Sequence, residues 1–179
     1  MKATGIVRRI DDLGRVVIPK EIRRTMRIRE GDPLEIYTNK DGEVIFKKYS
    51  PMNELSDFAA QICESLNKSS GMAAAISDRD TIIAVSGVPK RELIEKPVSA
   101  DLEQIMEARR TYSRKQGESS FVLSDQSDKY TVSIASPIIS EGDVMGCVIF
   151  FSDGDSAGGE LELKLAQTVS GFLGKQMES

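Results

Sequence analysis

The sequence contains no histidine and only two cysteines among its 179 residues. Histidine is the commonest general base and a frequent transition-metal ligand, so its absence argues against most hydrolytic and metal-dependent mechanisms. Cys63 and Cys147 lie far apart in apolar stretches, which favours buried free thiols in a reducing compartment over a disulfide. We therefore expect no catalytic centre, no metal site and no cofactor.

Long apolar runs are also missing. None approaches the ~18 uninterrupted apolar residues that a membrane helix needs. Residues 1–4 lead directly into a pattern typical of a strand, so we expect no signal peptide. These absences predict a cytoplasmic protein that does not bind membranes.

The net charge of −4 hides an uneven distribution. Residues 1–50 contain twelve Lys and Arg against eight Asp and Glu, a balance of +4, so the rest of the chain carries −8. A basic segment joined to an acidic one predicts a polyanion-binding module attached to a domain that does not bind polyanions.

The basic segment has the pattern of short strands around one helix. Residues 6–7 and 15–18 are rich in β-branched side chains, which favour strands, and residues 11–14 between them favour a turn. Pro19 suits the first position of a short helix that ends at residues 30–32.

A hairpin follows this helix, with strands at residues 34–38 and 44–46 and a turn at residues 39–42. Fifty residues without a disulfide or a metal bury too little surface to be stable alone. The segment is therefore predicted to be an obligate dimer with interleaved strands.

The acidic segment has the pattern of an antiparallel α+β sandwich. Residues 49–51 mark the boundary, and residues 51–67 have the apolar spacing of an amphipathic linking helix. Five strands and two helices follow it: strands 72–77 and 81–86, a helix at 102–109, strands 120–123, 130–139 and 144–151, and a helix at 161–173. The predicted domains are residues 1–50 and 51–179.

Six arginines precede the hairpin and are the candidate DNA-binding residues. They are Arg8, Arg9, Arg15, Arg23, Arg24 and Arg27. A guanidinium group can bind a phosphate or a guanine edge through two hydrogen bonds. The alternative is a solvated face whose arginines pair with Asp11, Asp12 and Glu21, and the charge pattern alone leaves both interpretations open.

Four strings cover the first fifty residues almost continuously: 1–9, 13–19, 21–24 and 34–37. They resemble the AbrB-type transition-state regulator family, and the Gly-Arg-Val-Val-Ile-Pro string at 14–19 is highly specific. The resemblance implies a swapped-hairpin β-barrel that two chains build together and that binds double-stranded DNA. It also implies DNA contacts by Arg8, Arg15, Arg23 and Arg24, whereas Arg9 stands where relatives often carry lysine.

The chain resembles family members that combine this N-terminus with a second domain of this length. This resemblance implies a transcription regulator of the forespore in an endospore-forming bacterium. Such a regulator activates some genes, represses others and is associated with the nucleoid. The family is known for loose consensus sites, which implies that DNA shape and deformability supply much of the selectivity.

The order of elements after residue 50 is similar to that of a GAF domain, a sensor fold with a central antiparallel sheet. The similarity implies that helices 52–67 and 160–177 share one face of the sheet. Their remaining apolar stripes favour contacts between dimers, and hence a tetramer, over the alternative that both stripes pack only on their own sheet. A small-molecule effector near residues 73–76 stays open beside ordinary strand packing. An anion site at residues 109–110 and 114–115 stays open beside a role in balancing a helix dipole.

The sequence offers some support for three other functions. An enzyme without histidine would need a Cys or Ser nucleophile helped by Lys or a carboxylate, or else a carboxylate pair. Asp78/Asp80 and Asp153/Asp155 are such pairs, but both lie in turns, where aspartate is favoured for backbone reasons. An antitoxin can share the N-terminal barrel, but it carries a disordered acidic tail, whereas residues 52–179 have the periodicity of a core. A DNA-binding oligomerisation scaffold without an effector is compatible with every pattern in the sequence.

Overall fold

The computed structural model describes residues 4–178. Contacts divide the chain into two compact units after Tyr49, and each is described by itself. The first three residues of the string at 1–9 lie outside the described part.

Over residues 4–49, the first unit contains one short helix, α1 (Lys20–Thr25), and one antiparallel hairpin formed by β1 (Leu34–Thr38) and β2 (Val44–Lys48). The predicted hairpin is therefore confirmed. Its turn is closed by the backbone amide of Asn39, which donates a hydrogen bond to the backbone carbonyl of Glu43 at 3.2 Å. Asparagine is favoured here because its side chain can also accept backbone amides across a turn.

Helix α1 differs from its prediction at both ends. Pro19 is the N-cap rather than the first helical residue, and its carbonyl accepts the Arg23 amide at 2.9 Å. The helix ends at Thr25 and not near Glu30, because Arg27 has a left-handed φ of 52° that a right-handed helix cannot accommodate.

The strands predicted at residues 6–7 and 15–18 are wrong for the single chain, since neither belongs to a strand in the described structure. The turn between them is confirmed. The Asp11 amide donates to the Arg15 carbonyl at 3.0 Å, and the Gly14 amide donates to the Asp11 carbonyl at 3.1 Å. A β-strand requires a hydrogen-bonded neighbour, and the rest of the described chain supplies none to these two arms.

The first unit has almost no core of its own. Pro19 is the only buried residue among residues 4–49. Large apolar side chains face solvent instead, among them Val7 at 90% exposure and Ile10 at 72%. Exposed apolar surface on this scale marks a region that another molecule covers.

The second unit has a six-stranded antiparallel sheet with helices on both faces. Its helices are α2 (Pro51–Glu54), α3 (Ser56–Ser70), α4 (Ala100–Ala108) and α5 (Glu160–Gln176), with a 3-10 turn at Lys90–Glu92. Its strands are β3 (Ala73–Asp78), β4 (Ile82–Ser86), β5 (Tyr112–Ser113), β6 (Val122–Ser124), β7 (Ser127–Ser140) and β8 (Asp143–Ser152). The strand order is β4-β3-β8-β7-β5, and β6 also pairs with β7.

Helices α3 and α5 pack on the same face of this sheet, as predicted. Cys63 of α3 and Leu173 of α5 share one core with Phe150 of β8. Leu102 of α4 belongs to a separate core that contains Cys147. Both cysteines are buried and free, as the sequence predicted, and they lie in different cores.

The predicted linking helix at 51–67 is interrupted and longer than expected. Leu55 ends α2 and precedes α3, with φ −97° and ψ 10°, while Met52 of α2 is fully buried. Helix α3 continues to Ser70 and ends at Gly71, whose φ of 76° is left-handed. No helix among residues 4–178 combines the length and the apolar character needed to cross a bilayer.

Candidate nucleic-acid interface

All six candidate arginines are exposed in the first unit. They occupy three places: the arm before the turn at 11–14, the residue directly after that turn, and α1 with the residues that follow it. Arg8 and Arg9 lie on the arm, Arg15 follows the turn, and Arg23, Arg24 and Arg27 lie on or after α1.

Arg15 is held by a carboxylate. Its Nε donates to Asp11 Oδ2 at 2.8 Å. The other oxygen, Oδ1, accepts the backbone amides of Leu13 at 3.0 Å and of Arg15 at 2.8 Å. The Arg15 amide and then its guanidinium lower the pKa of Asp11 below its usual value. The Arg15 side chain nevertheless stays 70% exposed.

The other five candidate arginines have no carboxylate partner among residues 4–178. Arg23 Nε donates to the Ile18 carbonyl at 3.2 Å, which holds its side chain along the start of α1. Of the ion pairs that the solvated-face alternative predicts with Asp11, Asp12 and Glu21, the described chain forms only the one between Arg15 and Asp11. Most of the positive charge is therefore not neutralised locally, which suits a polyanion ligand.

Two residues outside the candidate set shape this surface. Asp11 was considered only as a routine partner, although its spacing of four residues from Arg15 was a usable signal. Lys48 Nζ donates to the Arg27 carbonyl at 2.7 Å and lies 3.6 Å from Asp32 Oδ2. A separation of 21 residues leaves no trace in the sequence pattern, so the contact of Lys48 with Arg27 was missed.

The anion site considered in the second unit is not supported at Arg114. Its guanidinium is buried, donates from Nη2 to the Glu118 carbonyl at 3.1 Å and lies 3.3 Å from Asp155. Arg109 has a left-handed φ of 56° and forms the C-cap of α4. Arg109 therefore ends a helix, and the contacts of Arg114 hold two loops in place.

Asp78 and the strand at residues 73–76 have structural roles in the second unit. Asp78 Oδ1 accepts the amides of Asp80 and Thr81, each at 2.7 Å, which is turn formation. Ala74 and Ala75 of β3 are fully buried, one in each core. Among residues 4–178, no three Cys, Asp or Glu side chains are grouped as a metal site would require.

Comparisons with known proteins divide the chain in the same region. Residues 54–178 match the family model described as stage V sporulation protein T C-terminal, transcription factor. Residues 7–53 match the model described as antidote-toxin recognition MazE, bacterial antitoxin.

Individual relatives cover either the whole chain or its first part. Stage V sporulation protein T of Bacillus subtilis is 51% identical over 99% of both chains. The transition state regulatory protein AbrB of the same organism is 63% identical over 51 residues, which are 28% of this chain and 52% of the relative.

A solved structure extends the comparison to the second unit. The GAF domain/HD domain protein from Geobacter sulfurreducens has a TM-score of 0.51 and 17% identity, and the match covers 74% of this chain and 99% of the other. This likeness confirms the expected GAF-like fold and carries no information on ligands.

Proposed function

Because the chain belongs to the stage V sporulation protein T family, we propose that it is a DNA-binding transcription regulator whose first unit contacts the duplex. The observation that carries this proposal is the set of six exposed arginines, of which Arg15 alone has a carboxylate partner in the described chain. The set lies in a segment that is 63% identical to a transition state regulator.

The arginines provide two kinds of contact. Guanidinium groups that neutralise phosphates give affinity that falls steeply with salt but carries little sequence information. A guanidinium that meets a guanine edge with two hydrogen bonds adds discrimination between bases. We assign the main contacts to Arg8, Arg15, Arg23 and Arg24, with Arg9 and Arg27 at their margin, and expect DNA shape to contribute to selectivity.

The first unit is proposed to act as a dimer. Residues 4–49 bury only Pro19, and the arms on both sides of the turn have β-branched side chains but no strand partner in the described chain. A second copy would supply both the missing hydrogen bonds and the missing core, as in a swapped-hairpin barrel. Two copies would also present two sets of arginines to one duplex.

The second unit is proposed to join dimers into a tetramer. Leu161, Phe58 and Phe172 are exposed on α3 and α5. The same helices bury their opposite sides against the sheet. An apolar stripe left on the outer side of two packed helices suits association with an equivalent stripe.

The antitoxin alternative is weaker than regulation. The antitoxin model matches residues 7–53, whereas residues 54–178 match a transcription-factor family. Those residues also form two packed cores rather than an extended acidic tail. We propose a regulator without enzymatic activity, which activates some forespore genes, represses others and is located on the nucleoid in the cytoplasm.

Genome-wide DNA enrichment tests the proposed function. The wild-type protein should recover discrete DNA regions, and a variant with alanine at Arg8, Arg15, Arg23 and Arg24 should recover none above background. Equal enrichment by the two proteins, with the variant folded and of the same oligomeric mass, would refute the assignment.

A small-molecule effector of the second unit is a separate part of the proposal. The full chain should gain about 2.7 kcal/mol of stability when a true ligand is present at 100 times its Kd. A screen of metabolites by thermal unfolding would distinguish such a sensor from an oligomerisation scaffold, which no small molecule stabilises.

A further inference from the structure

One carboxylate organises the turn that precedes Arg15. Asp11 Oδ1 accepts the amides of Leu13 at 3.0 Å and of Arg15 at 2.8 Å, which closes the turn. Asp11 Oδ2 accepts Arg15 Nε at 2.8 Å, which holds the guanidinium. The two oxygens of one side chain therefore have separate roles.

The contact through Nε leaves the outer end of the guanidinium available. Nη1 and Nη2 of Arg15 make no hydrogen bond within residues 4–178, and the side chain is 70% exposed. These two nitrogens form the fork that can meet two acceptors on a guanine edge or a phosphate. Asp11 thus fixes the direction of a fork that an unrestrained arginine would sample among many rotamers.

The same carboxylate reduces the charge that Arg15 presents to DNA. A guanidinium beside an anion gains less from any nearby phosphate, because attraction and repulsion partly cancel. A contact in which the Arg15 guanidinium forms two hydrogen bonds with matching acceptors loses less binding free energy, because the guanidinium is already oriented. The pair therefore weakens contacts that rest on charge alone more than contacts that rest on matching acceptors.

We propose that Asp11 is a specificity-determining residue of the DNA interface, which orients the Arg15 fork and lowers the affinity of the protein for unmatched DNA. This inference rests on the proposed function, since it assumes that Arg15 faces DNA.

The test compares full-length wild type with Asp11→Asn. The asparagine Oδ1 can still accept the two backbone amides, so the turn is retained, but the anionic partner of Arg15 Nε is lost. Asp12→Asn is the matched control, because it removes the same charge from the neighbouring position. The Asp12 side chain has no hydrogen bond or ion pair in the described chain. The DNA probes are a duplex that the wild type selects from a random library and a shuffled duplex of equal composition.

Fluorescence anisotropy at several salt concentrations provides the readout. For Asp11→Asn, the ratio of affinities for selected and shuffled duplexes should fall by about fivefold or more, the discrimination of one modest bidentate contact. Its salt slope on the shuffled duplex should become steeper by about 0.9 for each extra phosphate that a released Arg15 neutralises. Asp12→Asn should leave the ratio unchanged.

A second variant protects the test against misfolding at position 11. Arg15→Lys keeps the positive charge but has no fork, so it should lose discrimination between the two duplexes. An unchanged ratio in folded Asp11→Asn, or an equal fall in Asp12→Asn, would overturn the inference. Failure of the wild type to bind either duplex would instead overturn the proposed function.

Discussion

The rings of Phe58 on α3 and Phe172 on α5 lie 6.2 Å apart between centroids, and both are substantially exposed, at 40% and 47%. The pair joins the two helices on the side that faces away from the sheet. Aromatic rings that remain partly in solvent are candidates for the centre of an interface, because burying a fully exposed ring gains about 1.5–3 kcal/mol and these rings still have nearly half of their surface to bury.

Replacing both rings should therefore separate the proposed tetramer into dimers. The Phe58→Ser/Phe172→Ser variant loses the apolar centre of the stripe, while the first unit still pairs. Light scattering coupled to size-exclusion chromatography measures the mass. Glu64→Ser, an exposed change on α3, should remain tetrameric; a tetrameric double variant would contradict the proposed interface.

Removing single arginines should weaken DNA binding without affecting the fold. Arg8→Ala or Arg24→Ala is expected to lose ~1–3 kcal/mol of binding free energy, the usual contribution of a charge-assisted hydrogen bond. Gel-shift titration at fixed salt measures the loss. Lys40→Ala removes a positive charge from the hairpin turn and should have a much smaller effect. Wild-type affinity in a folded Arg8→Ala dimer would remove Arg8 from the interface.

Two glycines of α5, one turn apart, should respond oppositely to alanine. A Cβ at Gly174 would lie 2.1 Å from the Ile139 carbonyl oxygen, whereas a Cβ at Gly171 would meet nothing within 4 Å. Gly174→Ala should destabilise the second unit by ~1–3 kcal/mol because helix and strand must move apart. Gly171→Ala should stabilise it by ~0.5–1 kcal/mol through lower backbone entropy in the unfolded chain. Urea unfolding tests both, and equal shifts would refute the close approach.

The Glu92 carboxylate should contribute to stability in a pH-dependent way. It accepts hydrogen bonds from the Tyr130 hydroxyl and from Lys129 Nζ, and these two donors, the hydroxyl first, lower the pKa of Glu92 below 4.5. A lowered carboxyl pKa stabilises the fold above the unfolded-state value, and this contribution is lost as pH falls through the folded-state value. The difference in melting temperature between wild type and Glu92→Gln should therefore shrink as pH falls from neutral to below 4.5.

Glu107→Gln provides the comparison for that measurement, because it removes an exposed carboxylate from α4. It should show a small difference from wild type with little pH dependence. A Glu92→Gln difference that stays constant across the acidic range would mean that these hydrogen bonds do not stabilise the folded chain.

Sequence patterns predicted those elements whose partners lie within the chain. Alternating apolar and polar residues predicted β1 and β2, and long apolar runs predicted β7 and β8. These predictions succeeded because each of these strands pairs with the next strand in sequence. The arms at 6–7 and 15–18 have equal strand propensity but no partner in the described chain, and propensity cannot supply one. Tyr112–Ser113 was missed because two residues are too few to show a period.

The sequence likewise predicted part of the candidate DNA-binding site and missed another part. The charge pattern and the string at 14–19 identified the six arginines, all of which are exposed. The pattern did not reveal that Arg15 has a carboxylate partner while Arg24 has none in the described chain. That difference depends on the turn geometry, which places Asp11 beside the guanidinium.

A DNA-binding unit in which Pro19 is the only buried residue among residues 4–49 has a further consequence. In the proposed dimer, folding of the first unit and dimerisation occur together. At low protein concentration, the amount of DNA-binding dimer therefore rises with the square of the chain concentration. If the second units associate as proposed, they would hold two first units together at an effective concentration on the order of millimolar. On this proposal, self-association of the second unit would set the protein concentration at which DNA sites begin to be occupied.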